Sequence, residues 1–244
     1  MDNLEWKTRV DLAAAFRLVD LYGWSDMLAT HLSARIPGPS DHFLINPMGV
    51  LFEEMTASDL IKLDIDGNIL SDTSRSINPA GYTIHSAIHG AREDAMCVIH
   101  THTEAGMAVS SLEEGLIYTN QDAMQFYGHT AYHDFEGIAL DLSERETLVS
   151  DLSDNKVMIL RNHGLLTTGH TIADAWVQMY FLEKVCKAQL TLLSAAAATG
   201  QKVIYPTKEV CEHTAKQYEA AGCGEREWPS LIRQLDEVTT EYKY

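Results

Sequence analysis

The sequence predicts a single α/β domain with its strands gathered in the middle of the chain, and three observations carry that prediction. Short apolar, β-branched runs at Cys97–Ile99 and Val157–Leu160 lie between long stretches of helical periodicity. No internal repeat, low-complexity segment or linker divides the 244 residues, so one domain is expected over 1–244, with a core at about 11–200 and a helical tail at 201–244. Hydrophobic residues at 45 % and charged ones at 22 % are ordinary globular values, enough to bury a substantial core.

The first helix is expected from Leu4 to about Tyr22, where Leu12, Ala15, Phe16, Val19 and Leu21 recur at helical spacing and Gly23 ends it. Met27–Ala34 and His42–Ile45 read as strand-like runs split by the Pro37-Gly38-Pro39 turn. Thr56–Leu60 reads as a capped helical turn, and Leu63–Leu70 as a hairpin around Asp66-Gly67-Asn68. Pro79–Gly90 is a helix entered through its proline, with Tyr82, His85 and His89 on one face. His85 and His89, four apart, read either as packing and hydrogen-bonding residues or as part of a site.

A strand through His102 comes next, then a helix from about Glu104 to Glu113 and a mixed stretch from Leu116 to His133. Ser143 is expected to cap a helix that carries Glu144 and Glu146 in its first turn and runs on through Leu152. Thr171–Ala198 is the longest helical pattern, opened by Thr171 with Asp174 three residues on and closed by Gly200. Trp228–Leu235 is an amphipathic helix with proline at its entry, and its Trp228 and Leu231 read as exposed apolar residues.

The chemistry gathers at histidines where apolar strands run out. His100 and His102 end the Cys97–Ile99 run, and alternate residues of a strand project to one face. A third histidine, His163, ends the Val157–Leu160 run before Gly164. Three such residues are the ligand set of a catalytic zinc or related divalent metal with one position left open. The competing reading makes them hydrogen-bonded structural histidines. His129 and His133 are likewise open between structural and functional roles.

With 18 basic and 35 acidic residues the formal charge is −17, which argues against nucleic-acid binding and against docking on an anionic membrane. The four cysteines, Cys97, Cys186, Cys211 and Cys223, fit no CxxC spacing and read as reduced, buried thiols. The N-terminus has no signal-type apolar stretch and no run approaches a membrane span. A cytoplasmic protein is expected.

Five segments together resemble the class II aldolase/adducin family: Ile45-Asn46-Pro47-Met48-Gly49, Asn78-Pro79-Ala80-Gly81-Tyr82, Val98-Ile99-His100-Thr101-His102, Ala131-Tyr132-His133-Asp134-Phe135 and Leu160-Arg161-Asn162-His163-Gly164. The resemblance runs from about Asp11 to Ala198. It implies a three-layer α/β/α domain around a central, mainly antiparallel sheet, assembled as a homotetramer. It also implies Zn2+ (or Mn2+, Fe2+ or Co2+) held by His100, His102 and His163, with the metal stabilising the enediolate formed as a carbon–carbon bond breaks or forms.

In the sugar-phosphate members a glutamate at the start of the helix before the H-x-H strand acts as base. Gly81 stands there in this chain and cannot take a proton. His129, His133 or the tail residue Tyr242 would have to move protons instead. The phosphate-gripping turns correspond to Thr30–Ser33, Asn46–Gly49 and Asn78-Pro79, and no Lys or Arg strengthens them. His31, Ser33, Asn46, Gly49 and Asn78 are therefore expected to line a site for a non-phosphorylated substrate, with His31 either meeting a carboxylate or capping a turn.

The implied function is a metal-dependent lyase: aldol cleavage or decarboxylation of a small hydroxy or keto acid through a metal-stabilised enolate. The alternative is a catalytically silent, adducin-head-like oligomeric or cytoskeletal-type module. The Asn-Pro-Ala-Gly version favours that kinship, and the absence of a long basic tail speaks against a cytoskeletal role.

Overall fold

A computed structural model describes residues 3–38 and 41–244. Seven strands form one sheet: β1 (His31–Arg35), β2 (His42–Ile45), β3 (Ile61–Asp64), β4 (Cys97–Thr101), β5 (Thr130–His133), β6 (Val157–Leu160) and β7 (Gly164–Gly169). Their order is β3-β2-β1-β4-β7-β6-β5. Every neighbouring pair is antiparallel except β5 with β6. The expected three-layer α/β/α arrangement with a mainly antiparallel sheet is what forms.

Strand alternation sorts the core into two layers. Cys97, Ile99, Val157, Ile159 and Leu165 face one side, under α1 (Asn3–Leu21), α3 (Glu104–Ser110) and α6 (Ile172–Thr199). Val98, Met158, Leu160 and Leu166 face the other, under α2 (Pro79–Ala91) and α5 (Glu144–Leu152). The short α4 (Gln121–Met124) and the tail helices α7 (Lys208–Ala221) and α8 (Trp228–Val238) complete the chain. An aromatic cluster pins the end of α1 to α6: Trp24 stacks on Trp176 at 5.3 Å between centroids, and Tyr22 meets Trp176 edge-on at 5.1 Å.

Five local expectations need correction. The strand expected from Met27 starts only at His31, since Met27 turns the chain with φ 45°. Thr56–Leu60 is not helical: Asp59 Oδ2 accepts both the amide and the hydroxyl of Thr56 and closes a turn. The helix after His102 stops at Ser110. Ser143 makes no side-chain cap, because its own backbone is already helical and Asp141 accepts its amide. Trp228 and Leu231 are half-buried, packed onto the core.

Other expectations hold. Thr171 Oγ1 accepts the Asp174 amide and Gly200 closes α6 with φ 71°. All four cysteines are free, and Cys97, Cys186 and Cys211 are buried as expected, whereas Cys223 is only partly so. Among the described residues no helix is long and apolar enough to cross a membrane.

Candidate metal centre

Three histidines meet at one end of the sheet. His100 lies in β4, His102 just beyond it, and His163 in the turn joining β6 to β7. Pairing of Thr101 with Leu165 brings that turn alongside His102. Asn162 at φ 56° lets the turn reverse, and Gly164 allows it to press on the Thr101 carbonyl, where a Cβ would collide. His100 and His102 are 2.8 Å apart at Nε2, and His102 and His163 are 2.9 Å apart at the same atoms. All three candidate ligand atoms lie within 4.8 Å of one another.

Hydrogen-bond partners decide what those nitrogens can do. The Leu165 carbonyl only accepts, so His100 Nδ1 donates to it across 2.9 Å. Asp26 Oδ2 accepts from His102 Nδ1 at 3.1 Å. In each ring the hydrogen is thereby committed to Nδ1, leaving Nε2 as a lone pair. Two lone pairs facing each other at 2.8 Å repel, and a cation shared between them removes that repulsion. Divalent ions take imidazole nitrogens at about 2.0–2.1 Å. The donor set therefore fits a zinc-like ion.

Burial, reinforced by His31, His163 and His102, holds His100 well below the ordinary imidazole range. Burial, then His102 and His133, brings His163 down to about 4. Both rings thus keep their lone pairs at neutral pH. His100 is fully buried, whereas His102 and His163 are half-exposed, so the cluster can be reached from solvent.

Of the other residues expected to line the site, His31 stands beside the cluster, whereas Ser33 and Asn78 have their side chains engaged within the fold. His31 pairs in register with His100, their rings 5.0 Å apart. Gly81 lies in the first turn of α2, and a Cβ built there falls 2.8 Å from Cδ2 of His31. The Ser33 hydroxyl is buried between His85 and His89. Asn78 caps α2, its Oδ1 accepting the Ala80 amide at 3.0 Å. Asn46 is buried, and its Oδ1 has no partner among the described residues. Gly49 is exposed with φ 88°. Register places the Asn46–Gly49 turn at the His31 end of β1, since Ser33 pairs with Ile45.

The three proton-transfer candidates separate more sharply. His133 sits at the site end of β5, opposite Leu160, where Asp151 Oδ2 accepts from Nδ1 at 2.8 Å and Glu144 Oε1 lies 3.5 Å from Nε2. His129 is exposed before the start of the same strand, four residues and about 13 Å of extended chain away from the site. Tyr242 is buried under α1, its hydroxyl donating to Asp236 at 2.7 Å. Within one chain only His133 stands near the cluster. Asp26 carries no sequence signal at all: it sits in a loop with no periodicity, 76 residues from its partner His102.

Comparison with known proteins agrees with this arrangement. The family described as Class II Aldolase and Adducin N-terminal domain matches residues 10–190. The crystal structure of an aldolase II superfamily protein from Pseudomonas syringae is 49 % identical, with a TM-score of 0.92 over 100 % of this chain and 98 % of that one. An L-fuculose 1-phosphate aldolase from Glaciozyma antarctica is 34 % identical, with a TM-score of 0.83 over 98 % of this chain and 93 % of that one. Alpha-adducin of Rattus norvegicus is 36 % identical over all of this chain, which spans only 35 % of that protein. A family match over most of the chain, joined to a histidine cluster in the expected place, settles the kinship: this chain belongs to the class II aldolase and adducin family.

Proposed function

We propose that this chain is a metal-dependent carbon–carbon lyase acting on a small, non-phosphorylated hydroxy or keto acid by aldol cleavage or decarboxylation. The facing Nε2 lone pairs of His100 and His102, with His163 beside them, carry the reading. A bound divalent ion, Zn2+ or one of Mn2+, Fe2+ and Co2+, supplies Lewis-acid polarisation of a carbonyl oxygen, worth several kcal/mol in a reaction that builds enolate character. His100, His102 and His163 would hold it, while the Leu165 carbonyl and Asp26 keep two of the rings turned inward. The lack of Lys or Arg in Thr30–Ser33, Asn46–Gly49 and Asn78-Pro79 supports a substrate without phosphate.

Of the groups proposed to move protons, His133 has the best position; the exposed His129 would have to come from another subunit, and Tyr242 is held in the core of its own chain. The proposed form is a cytoplasmic homotetramer. Support comes from the exposed apolar run Phe135, Ile138, Leu140 and Leu142, close to His163 through Phe135 at 6.1 Å.

A second reading, a catalytically silent module like the adducin head, is favoured by Gly81 in place of a carboxylate and by the likeness to alpha-adducin. Metal analysis of protein purified without chelator, then a screen of 2-keto and hydroxy acids, separates the two. One ion per chain, lost in the double variant His100→Ala/His102→Ala, together with turnover of an acid, is the expected result. Stoichiometric metal in the double variant overturns the ligand assignment, and a metal-loaded protein inert toward every acid favours the silent module.

A further inference from the structure

His31 begins a line of buried polar side chains that leads away from the metal centre and ends on a backbone carbonyl. His31 Nδ1 lies 2.7 Å from His85 Nε2. His85 Nδ1 makes a short contact with Ser33 Oγ, which lies 2.7 Å from His89 Nε2. His89 Nδ1 lies 3.0 Å from the Ala95 oxygen. All four side chains are buried.

The far end sets the direction of every bond. The Ala95 oxygen can only accept, so His89 carries its hydrogen on Nδ1 and accepts from the Ser33 hydroxyl at Nε2. Ser33, having donated, accepts from His85 Nδ1. His85 Nε2 then accepts from His31 Nδ1, and His31 Nε2 is left as a bare lone pair. The chain requires neutral rings, and burial enforces them. All three rings are buried, and with Arg35 beside it burial brings His89, at the far end of the line, to about 3.

No described residue takes the His31 Nε2 lone pair. The ring stands beside the cluster and against Gly81. A Cβ built on Gly81 lies 3.0 Å from Cγ and 3.3 Å from Nε2 of His31. The imidazole thus fills the volume that a longer side chain at position 81 would enter.

We propose that His31 replaces the side chain missing at position 81: its Nε2 accepts the hydroxyl hydrogen of a 2-hydroxy acid whose oxygens reach the metal centre. This rests on the metal-dependent reading above and narrows its substrate class to acids that carry a 2-hydroxyl for His31 in addition to the carbonyl polarised at the histidine cluster; lactate and pyruvate probe the His31 subsite alone. A bare lone pair welcomes an O–H and repels the oxygen of a keto group. A site built around a substrate hydroxyl discriminates against the analogue without one, because the buried acceptor is then left unpaired.

The test compares lactate with pyruvate on zinc-loaded protein by titration calorimetry. Wild type should bind lactate at least about tenfold more tightly, the worth of one hydrogen bond to a polarised group. His31→Phe keeps the ring volume but removes the acceptor, and should bring the preference within about twofold while zinc stoichiometry stays at one. Should that variant misfold, 15N spectra of histidine-labelled wild type read the same feature directly. His31, His85 and His89 should all be Nδ1–H tautomers.

An unchanged lactate preference in the variant, no preference in zinc-loaded wild type, or hydrogen on His31 Nε2 would each overturn the proposal alone. Wild type that takes up no zinc overturns the metal-centre reading and this proposal with it.

Discussion

His102 and Asp26 are joined by a 3.1 Å hydrogen bond from Nδ1 to Oδ2, and that bond decides which nitrogen the ring turns toward His100 and His163. The carboxylate is half-exposed and belongs to the loop that follows α1. Trp24, two residues earlier, stacks on Trp176 of α6 and fixes where that loop begins. A ligand on one strand end is therefore oriented from a loop anchored by aromatic packing on the far side of the sheet.

Replacing Asp26 with alanine should weaken zinc binding about 10- to 100-fold, the usual effect of losing a carboxylate that orients a ligating histidine. Competition with a chromophoric chelator measures this. The thermal midpoint of metal-free protein should hardly move, because the carboxylate lies at the surface. Unaltered zinc affinity would show that Asp26 does not hold His102 in place.

Sugar-phosphate aldolase activity should be absent or very weak in the unmodified protein. A positioned general base contributes about 10²–10⁴-fold, roughly 3–5 kcal/mol of barrier, and Gly81 supplies none. The likeness to an L-fuculose 1-phosphate aldolase makes this a sharp comparison. Robust cleavage of fuculose or ribulose phosphates would falsify this account of the Gly81 site.

Acid should destabilise the protein through His89. Its pKa is about 3 in the folded chain, lowered by burial and then by Arg35, against an ordinary value of 6.5. Because the folded value is depressed, the unfolded chain binds more protons between those limits. The contribution is therefore present above about pH 6.5 and is lost as pH falls toward 3. Going from pH 7 to pH 5 should remove about 2 kcal/mol through this one residue. Denaturant unfolding of metal-free protein at the two pH values reads the slope, and His89→Gln should flatten it. An equally steep slope in that variant would place the acid sensitivity elsewhere.

Light scattering should return about four times the 27.2 kDa chain mass. Charged replacements at Ile138 and Leu140, both largely exposed, should shift the protein toward smaller species. A mass of one chain at micromolar concentration would rule out the tetramer and any site completed by a neighbour.

What the sequence makes legible here is periodicity and strand-end chemistry. The Thr171 cap and Gly200 stop of α6, the helix behind Pro79 and the H-x-H strand all follow from local rules, and so do the three converging histidines. Local rules fail where a neighbour in sequence takes over the backbone, as when Asp59 folds Thr56 into a turn or Asp141 takes the Ser143 amide. They are silent on the buried line through His31, Ser33, His85 and His89. Its partners stand 52 to 56 positions apart and meet only because β1 passes under α2. Tyr242 and Trp228 look like free tail residues in the sequence, yet both are held against the core.

The packing of His31 against Gly81 also constrains how this protein could change over time. A glutamate at position 81 and an imidazole at position 31 compete for one space, the first new atom already lying 2.8 Å from the ring. The two positions are therefore epistatic. Gly81→Glu introduced alone meets a blocked volume, whereas the same change after His31 has become smaller meets an open one. A lineage passing between a carboxylate-bearing site and this one would have to cross in a fixed order, with position 31 yielding first in one direction and position 81 in the other.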